Sequence, residues 1–342
     1  MRCCSSVLRP TLCILANWIF FVTSGVSQKS ELSCHFGMMS GGLAVCLLPL
    51  LVFPQSVVPQ EKALWQGEGT TADLQEVILG RCYNYIRVVN PSVGEKNCTA
   101  IWNAFRDAFI YRDPCSVTDR DYQTFISLSL HSIPPNKALF WEKNKQLVHS
   151  YSDTGRRMMP LGETLIGWLG DDLTWCGNSS GEGLDSVSCP TTAECENNPV
   201  ESFWRIASST YANLSSGVIQ VMLNGSVSDG TFPENSFFAN YELPYLRKDK
   251  VSKVQIWIMD DIEGPDVESC GTKSVAVLQQ ILEQKGFEYT CADNYRPVRI
   301  LQCVDSPSHP ACLCSSSAST PNLSPHHLVI LLFFTFQWTA VD

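Results

Sequence analysis

Apolar and polar positions along the chain change rhythm near Gly217. Between Thr70 and Trp175, apolar residues recur three and four apart, as in Ile101, Phe105, Ala108 and Phe109, the spacing that lines one face of a helix. The pattern predicts helices over 73–81, 100–110, 119–130, 138–150 and 163–175. Asn198-Pro199 reads as a further helix start, because the Asn side chain can accept a backbone N–H and Pro at the first helical position loses no needed donor. After Gly217 the short β-branched run VIQVML, closed by Asn224-Gly225, predicts a strand buried on both faces. In VSKVQIWIMD, Val254, Ile256 and Ile258 alternate as a second strand would; a helix over 272–284 ends before Gly286, and FEYTC follows as a third strand. Strand, strand, helix, strand is the order of a parallel α/β layer. The predicted fold is therefore α/β with two subdomains, an N-terminal helical bundle (59–216) packed against a small parallel sheet flanked by helices (217–314), with the active-site cleft between.

The two ends lie outside this frame. Apolar runs at 12–22 and 43–58 are each too short and interrupted for a membrane span. The second is read as the core of a secretory signal because sequence of mature character begins near Lys62, so 1–58 is an N-terminal extension with that signal; an N-terminal membrane anchor is the alternative. At 315–342, small residues (Ser315 to Ala318), a polar spacer and an apolar tail have the layout of a glycosylphosphatidylinositol attachment signal.

Composition narrows the setting. With Lys+Arg 24 against Asp+Glu 34, the net charge of -10 offers no electrostatic footprint for nucleic acid. Sixteen cysteines without a C-x-x-C pair point to an oxidising compartment rather than to structural zinc. Asn97, Asn178, Asn213 and Asn224 each begin an N-x-Ser/Thr triplet for glycosylation, in agreement with that compartment.

The chemistry must come from carboxylates. No H-E-x-x-H motif is present. A lone histidine in a helical half, such as His131 or His149, is more often structural than a base. Glu163 and Asp171, eight apart on one predicted helix, would share a face, although such pairs are usually solvated. Trp141, Trp168, Trp175 and Trp204 default to core. Glu242 stands out because it follows a buried strand, and the carboxyl ends of such strands are where α/β folds put their sites.

Resemblance sharpens these candidates. The segments ALFWEK, PLGETLIGWLGDDLTWCG, NNPVESFW, VMLNGS, FFANYE and YRPVRILQCV, in this order and spacing, resemble the ADP-ribosyl cyclase family over 65–312. With the tail, they point to its lipid-anchored branch. The resemblance implies cleavage of the nicotinamide–ribose bond of NAD to give cyclic ADP-ribose or ADP-ribose. It makes Glu242 the catalytic residue, frames the substrate with Trp141 and Trp204, and lines the pocket with Ser208, Phe238, Glu163 and Asp171, with Lys143 near the phosphates. It also implies the disulfides Cys82–Cys98, Cys115–Cys195, Cys176–Cys189, Cys270–Cys291 and Cys303–Cys312. A further family bridge is missing at both ends, where Pro135 and Gly217 stand, and Cys314 is left over.

The chemistry agrees with a solitary acid. Nicotinamide in NAD is already cationic and leaves neutral, so no second carboxyl need protonate the leaving group, unlike an ordinary glycosidase. One carboxylate can stabilise the oxocarbenium-like ribose, electrostatically or as a transient covalent partner, and indole faces favour a flat cationic ring. NAD is the substrate; no cofactor or metal is expected. Gly162 stands where the family pattern has the glutamate that influences cyclisation against hydrolysis, which leaves the product balance open. The expected protein is a cell-surface, lipid-anchored NAD glycohydrolase and cyclase on the outer face of the plasma membrane; the alternative is a receptor or adhesion ectodomain with vestigial activity. Homodimerisation and cell-surface or matrix proteins complete the expected partners, with no nucleic acid.

Overall fold

The computed structural model describes residues 64–312, apart from 154–157, 179–180 and 182. The expected signal and anchor segments, 1–58 and 315–342, lie outside the described residues.

A two-residue strand β1 (Gly67–Glu68) leads into α1 (Leu74–Asn84), which buries Leu74, Ile78 and Cys82, four apart along one face. Helix α2 (Cys98–Asp107) is capped by Asn97, whose side chain accepts the Ala100 N–H. Helix α3 (Gln123–Ser129) follows a 3-10 turn held by the Thr118/Asp121 capping box. The Cys82–Cys98 bridge ties α1 to α2. These helices enclose an aromatic core in which Phe105 packs against Tyr122, Phe125, Trp175 and Phe203. The indole N–H of Trp175 donates to the Tyr122 hydroxyl at 2.8 Å, and that hydroxyl donates to the Pro199 carbonyl at 2.9 Å. The polar atoms of Trp175 and Tyr122 are thereby satisfied inside the core.

The next segment corrects the expectation of one helix over 138–150. It opens instead with strand β2 (Leu139–Glu142), and only then begins α4 (Lys145–Asp153). The chain turns between them at Lys143, whose φ is 54°. Leu139 belongs to one apolar layer and Phe140 to the other, the two-residue alternation of a strand. The helix expected over 163–175 is also shorter. A 3-10 turn, Leu161–Glu163, precedes α5 (Leu165–Gly170), which starts at the Thr164 cap and gives way to an extended Asp171. Glu163 and Asp171 therefore share no helix.

A second short strand, β3 (Ser188–Cys189), pairs with β1. Helix α6 (Pro199–Leu214) starts as expected, with the Asn198 side chain accepting the Glu201 N–H and Pro199 in the first turn. Strand β4 (Gly217–Asn224), β5 (Val251–Met259), α7 (Lys273–Gln284), β6 (Tyr289–Asp293) and α8 (Arg296–Asp305) complete the chain. The sheet order is β2-β4-β5-β6, and every neighbour pair is parallel. The helical half thus contributes an edge strand to the sheet. One face of the sheet joins the main core; the other packs Leu139, Met222, Trp257 and Met259 against Val148 and Tyr151 of α4 and Val298 of α8.

All five disulfides implied by the resemblance are present. At the site of the missing bridge, hydrogen bonds replace a covalent link. Gly217 has φ +72°, and a Cβ there would collide with the Asn136 carboxamide oxygen. That oxygen instead accepts the Val218 N–H at 2.7 Å, while the Asn136 N–H donates to the Ser216 carbonyl at 3.0 Å.

Candidate active site

The carboxyl end of β2 opens onto a cavity of about 450 Å³. Strand β2 ends on Trp141 and Glu142, which both line it; α4 adds Lys145 and His149, and the Leu161–Glu163 turn adds Leu161 and Gly162. Helix α6 presents Glu201, Trp204 and Ser208, spaced three and four apart on one face. The last wall comes from Phe237 and Glu242, at the two ends of a π turn that covers Phe238–Glu242. Single π turns concentrate at functional sites because they re-aim one side chain against the helical rise.

Glu242 is only 7% exposed and Ser208 3%. Burial pushes the Glu242 carboxyl up, the Ser208 hydroxyl donating to it pulls it down, and the charge of Glu142 pushes it up again, leaving it at about 8. Glu142 is itself held above the usual carboxylate range, by burial first; Lys143 lowers it and Asp229 raises it. At the rim, Lys145 Nζ lies 2.9 Å from Asp171 Oδ1 and 2.6 Å from Asp172 Oδ1, fastening α4 to the loop after α5. A carboxylate held in a desolvated pocket between two indoles can stabilise a cation developing on a sugar carbon.

Glu242, Trp141, Trp204, Ser208 and Asp171 are brought together as expected, while three other expected residues are not. Glu163 lines a separate cavity of about 590 Å³ with His131 and Lys137, because the 3-10 turn sends residues 162 and 163 to opposite sides. Phe238 is 0% exposed and packs against Phe140 and Phe232, so its neighbour Phe237 takes the lining position. Lys143 is paired with Asp229 and lines a further cavity beyond Trp141. Gly162 does line the site, and a Cβ there would meet only His149, at 3.5 Å. Reasoning from sequence missed Glu142, Lys145, His149, Glu201 and Phe237. Glu142 becomes a site residue only because it ends the parallel strand β2 beside Trp141.

The glycosylation sites divide by exposure. Asn97 and Asn213 are exposed. Asn224 is 6% exposed, and its amide nitrogen donates to the Lys143 carbonyl and to Asp261. A glycan at Asn224 would have to replace these two bonds at the end of β4.

The sequence profile described as ADP-ribosyl cyclase matches residues 71–312. The chain belongs to the ADP-ribosyl cyclase family. Among family members, the ADP-ribosyl cyclase/cyclic ADP-ribose hydrolase 2 of Homo sapiens is 51% identical over 265 residues, which are 77% of this chain and 83% of that protein. A solved structure of porcine CD38, in complex with a covalent intermediate, ribo-F-ribose-5'-phosphate, has a TM-score of 0.65 at 40% identity, over 68% of this chain and 100% of the other. A structure of Aplysia cyclase complexed with substrate NGD and product cGDPR has a TM-score of 0.68 at 32% identity, over 71% of this chain and 98% of the other. The helices and parallel sheet of this chain are the α/β fold of those cyclases.

Proposed function

We propose that this protein cleaves the nicotinamide–ribose bond of NAD and releases the ADP-ribosyl group as cyclic or linear product, with Glu242 as the catalytic carboxylate. The observation that carries this reading is Glu242 itself, buried, bonded to Ser208 and facing one cavity with Trp141 and Trp204. The nicotinamide ring enters as a cation between the indoles. Its positive charge favours the ionised form of Glu242, so substrate binding helps to remove the proton that burial holds there. As the bond lengthens, the ring charge passes to the ribose and the carboxylate stabilises the new cation; the neutral nicotinamide leaves without a proton donor. The ribosyl intermediate then takes either an adenine nitrogen of its own chain or water.

Purified protein incubated with NAD should release nicotinamide, and Glu242→Gln should lose that activity by about a hundred- to a thousandfold, the scale of removing an electrostatic stabiliser. Equal release by the two proteins refutes the role of Glu242. The lipid-anchored, extracellular reading is proposed with it, on the five disulfides and the tail at 315–342. Among the described residues no helix is long and apolar enough to cross a membrane. Phosphatidylinositol-specific phospholipase C should release the protein from cells; retention on the cells counts against the anchor.

A further inference from the structure

Among the described residues five carboxylates line the cavity, and four of them are engaged. Asp171 and Asp172 hold Lys145, Glu201 accepts from the Thr192 hydroxyl at 3.0 Å, and Glu242 accepts from Ser208. The fifth, Glu142, makes no hydrogen bond or ion pair with any described residue. It is half-buried at the end of β2, where its register partner is Leu223 of β4, and its charge is felt by Glu242. A carboxylate with open lone pairs beside the reacting carboxylate is what an incoming nucleophile bearing protons requires.

We propose that Glu142 is the general base that delivers water to the ribosyl intermediate, and that it thereby sets the share of linear product. The inference rests on the reading of Glu242 given above. Once nicotinamide has left, the water oxygen bonds to the anomeric carbon, whose positive character is quenched. One water proton passes to the Glu142 carboxylate and from there to solvent, and Glu242 is freed as a carboxylate. Cyclisation needs no such base, because the adenine nitrogen attacks with its own lone pair. Burial holds Glu142 above the usual carboxylate range, which strengthens it as a base. His149, which reaches the same cavity from α4, is the rival base.

The test is the ratio of cyclic to linear product from NAD at initial rates, for the wild type, Glu142→Gln, Glu142→Asp and His149→Gln. Glu142→Gln should raise the ratio by about a hundredfold, the low end of what a positioned base contributes. Glu142→Asp should lie between it and the wild type, and His149→Gln should move the ratio less than Glu142→Gln does. Heavy water should move the wild-type ratio towards cyclic product and leave that of Glu142→Gln unmoved, a response that mere loss of charge or packing would not give. A wild type that releases nicotinamide while the ratio is unchanged in Glu142→Gln overturns the proposal and leaves the reading of Glu242 standing; so does a ratio moved by His149→Gln alone. A wild type that releases no nicotinamide overturns both. Should Glu142→Gln fail to fold, a wild-type ratio indifferent to heavy water overturns the proposal by itself.

Discussion

Glu242→Gln should make the protein more stable as it makes it inert, and the gain should depend on pH. Glu242 is 7% exposed, and its carboxyl rises from an ordinary 4.5 to about 8 on folding, first through burial. The sign follows from proton binding. Below pH 4.5 both folded and unfolded chains hold the proton, and the raised affinity has no pH-dependent cost. Between 4.5 and 8 the unfolded chain releases it while the folded chain keeps it, so stability falls as pH rises, by about 1.4 kcal/mol per pH unit at most. The cost at pH 7 is then roughly 3 kcal/mol, and above pH 8 it levels off near roughly 5 kcal/mol. Glutamine has the same shape and never ionises, although its amide must still find partners, which takes back about 1 kcal/mol or more. The net gain at pH 7 should be about 1–2 kcal/mol, or about 2–8 °C in Tm for a domain of this size. Thermal unfolding of both proteins at pH 5, 7 and 8.5 reads the gap directly, and other titrating groups cancel in the comparison. The gap should open by about 2–4 kcal/mol from pH 5 to pH 8.5. A gap that stays constant with pH, or a wild type that is the more stable at pH 8.5, refutes the reasoning.

The same proton governs activity. In the free protein kcat/KM for NAD should rise with pH and level off near 8, because only the carboxylate can stabilise the ribosyl cation; a flat profile between pH 6 and 8 counts against it. Gly162→Glu should fold with stability changed by less than about 1 kcal/mol, since a Cβ there meets only His149 and the position faces the cavity, and should alter the cyclic-to-linear product ratio; a large drop in Tm would show that the space is not there. Protein made in animal cells should lose one glycan from Asn97→Gln and one from Asn213→Gln on gel mobility but none from Asn224→Gln. The last change should instead cost about 1–2 kcal/mol of stability, because a buried amide loses its bonds to Lys143 and Asp261.

Much of the frame was legible because local chemistry and period agree. Asn198-Pro199 started α6 as a cap and first-turn proline should, and VIQVML became the buried centre of β4. Strand β2 was hidden for a physical reason. A four-residue buried strand that runs almost directly into a helix leaves one continuous apolar pattern, and periodicity cannot divide it. Glu142 was lost with it, since the side chain belongs to the cavity only if residue 142 ends a strand. Glu163 and Asp171 were joined by a spacing that holds only on an unbroken helix, and α5 stops at Gly170. Phe237 and Phe238 are adjacent aromatics, and only the π turn decides which of them faces the cavity.

The edge position of β2 bears on how this architecture can be cut and recombined. The change of rhythm near Gly217 invites a join there, yet Trp141 pairs in register with Met222 and Glu142 with Leu223 across it. A fragment beginning at Gly217 would leave the backbone of β4 bare along one side, a template for pairing with other chains. A chimera of two family members joined at that point would draw β2, which lines the cleft, and β4, which pairs with it, from different parents. Exchange that preserves catalysis should therefore move β2 and β4 together, so the heritable unit of the active site spans the boundary that the sequence pattern suggests.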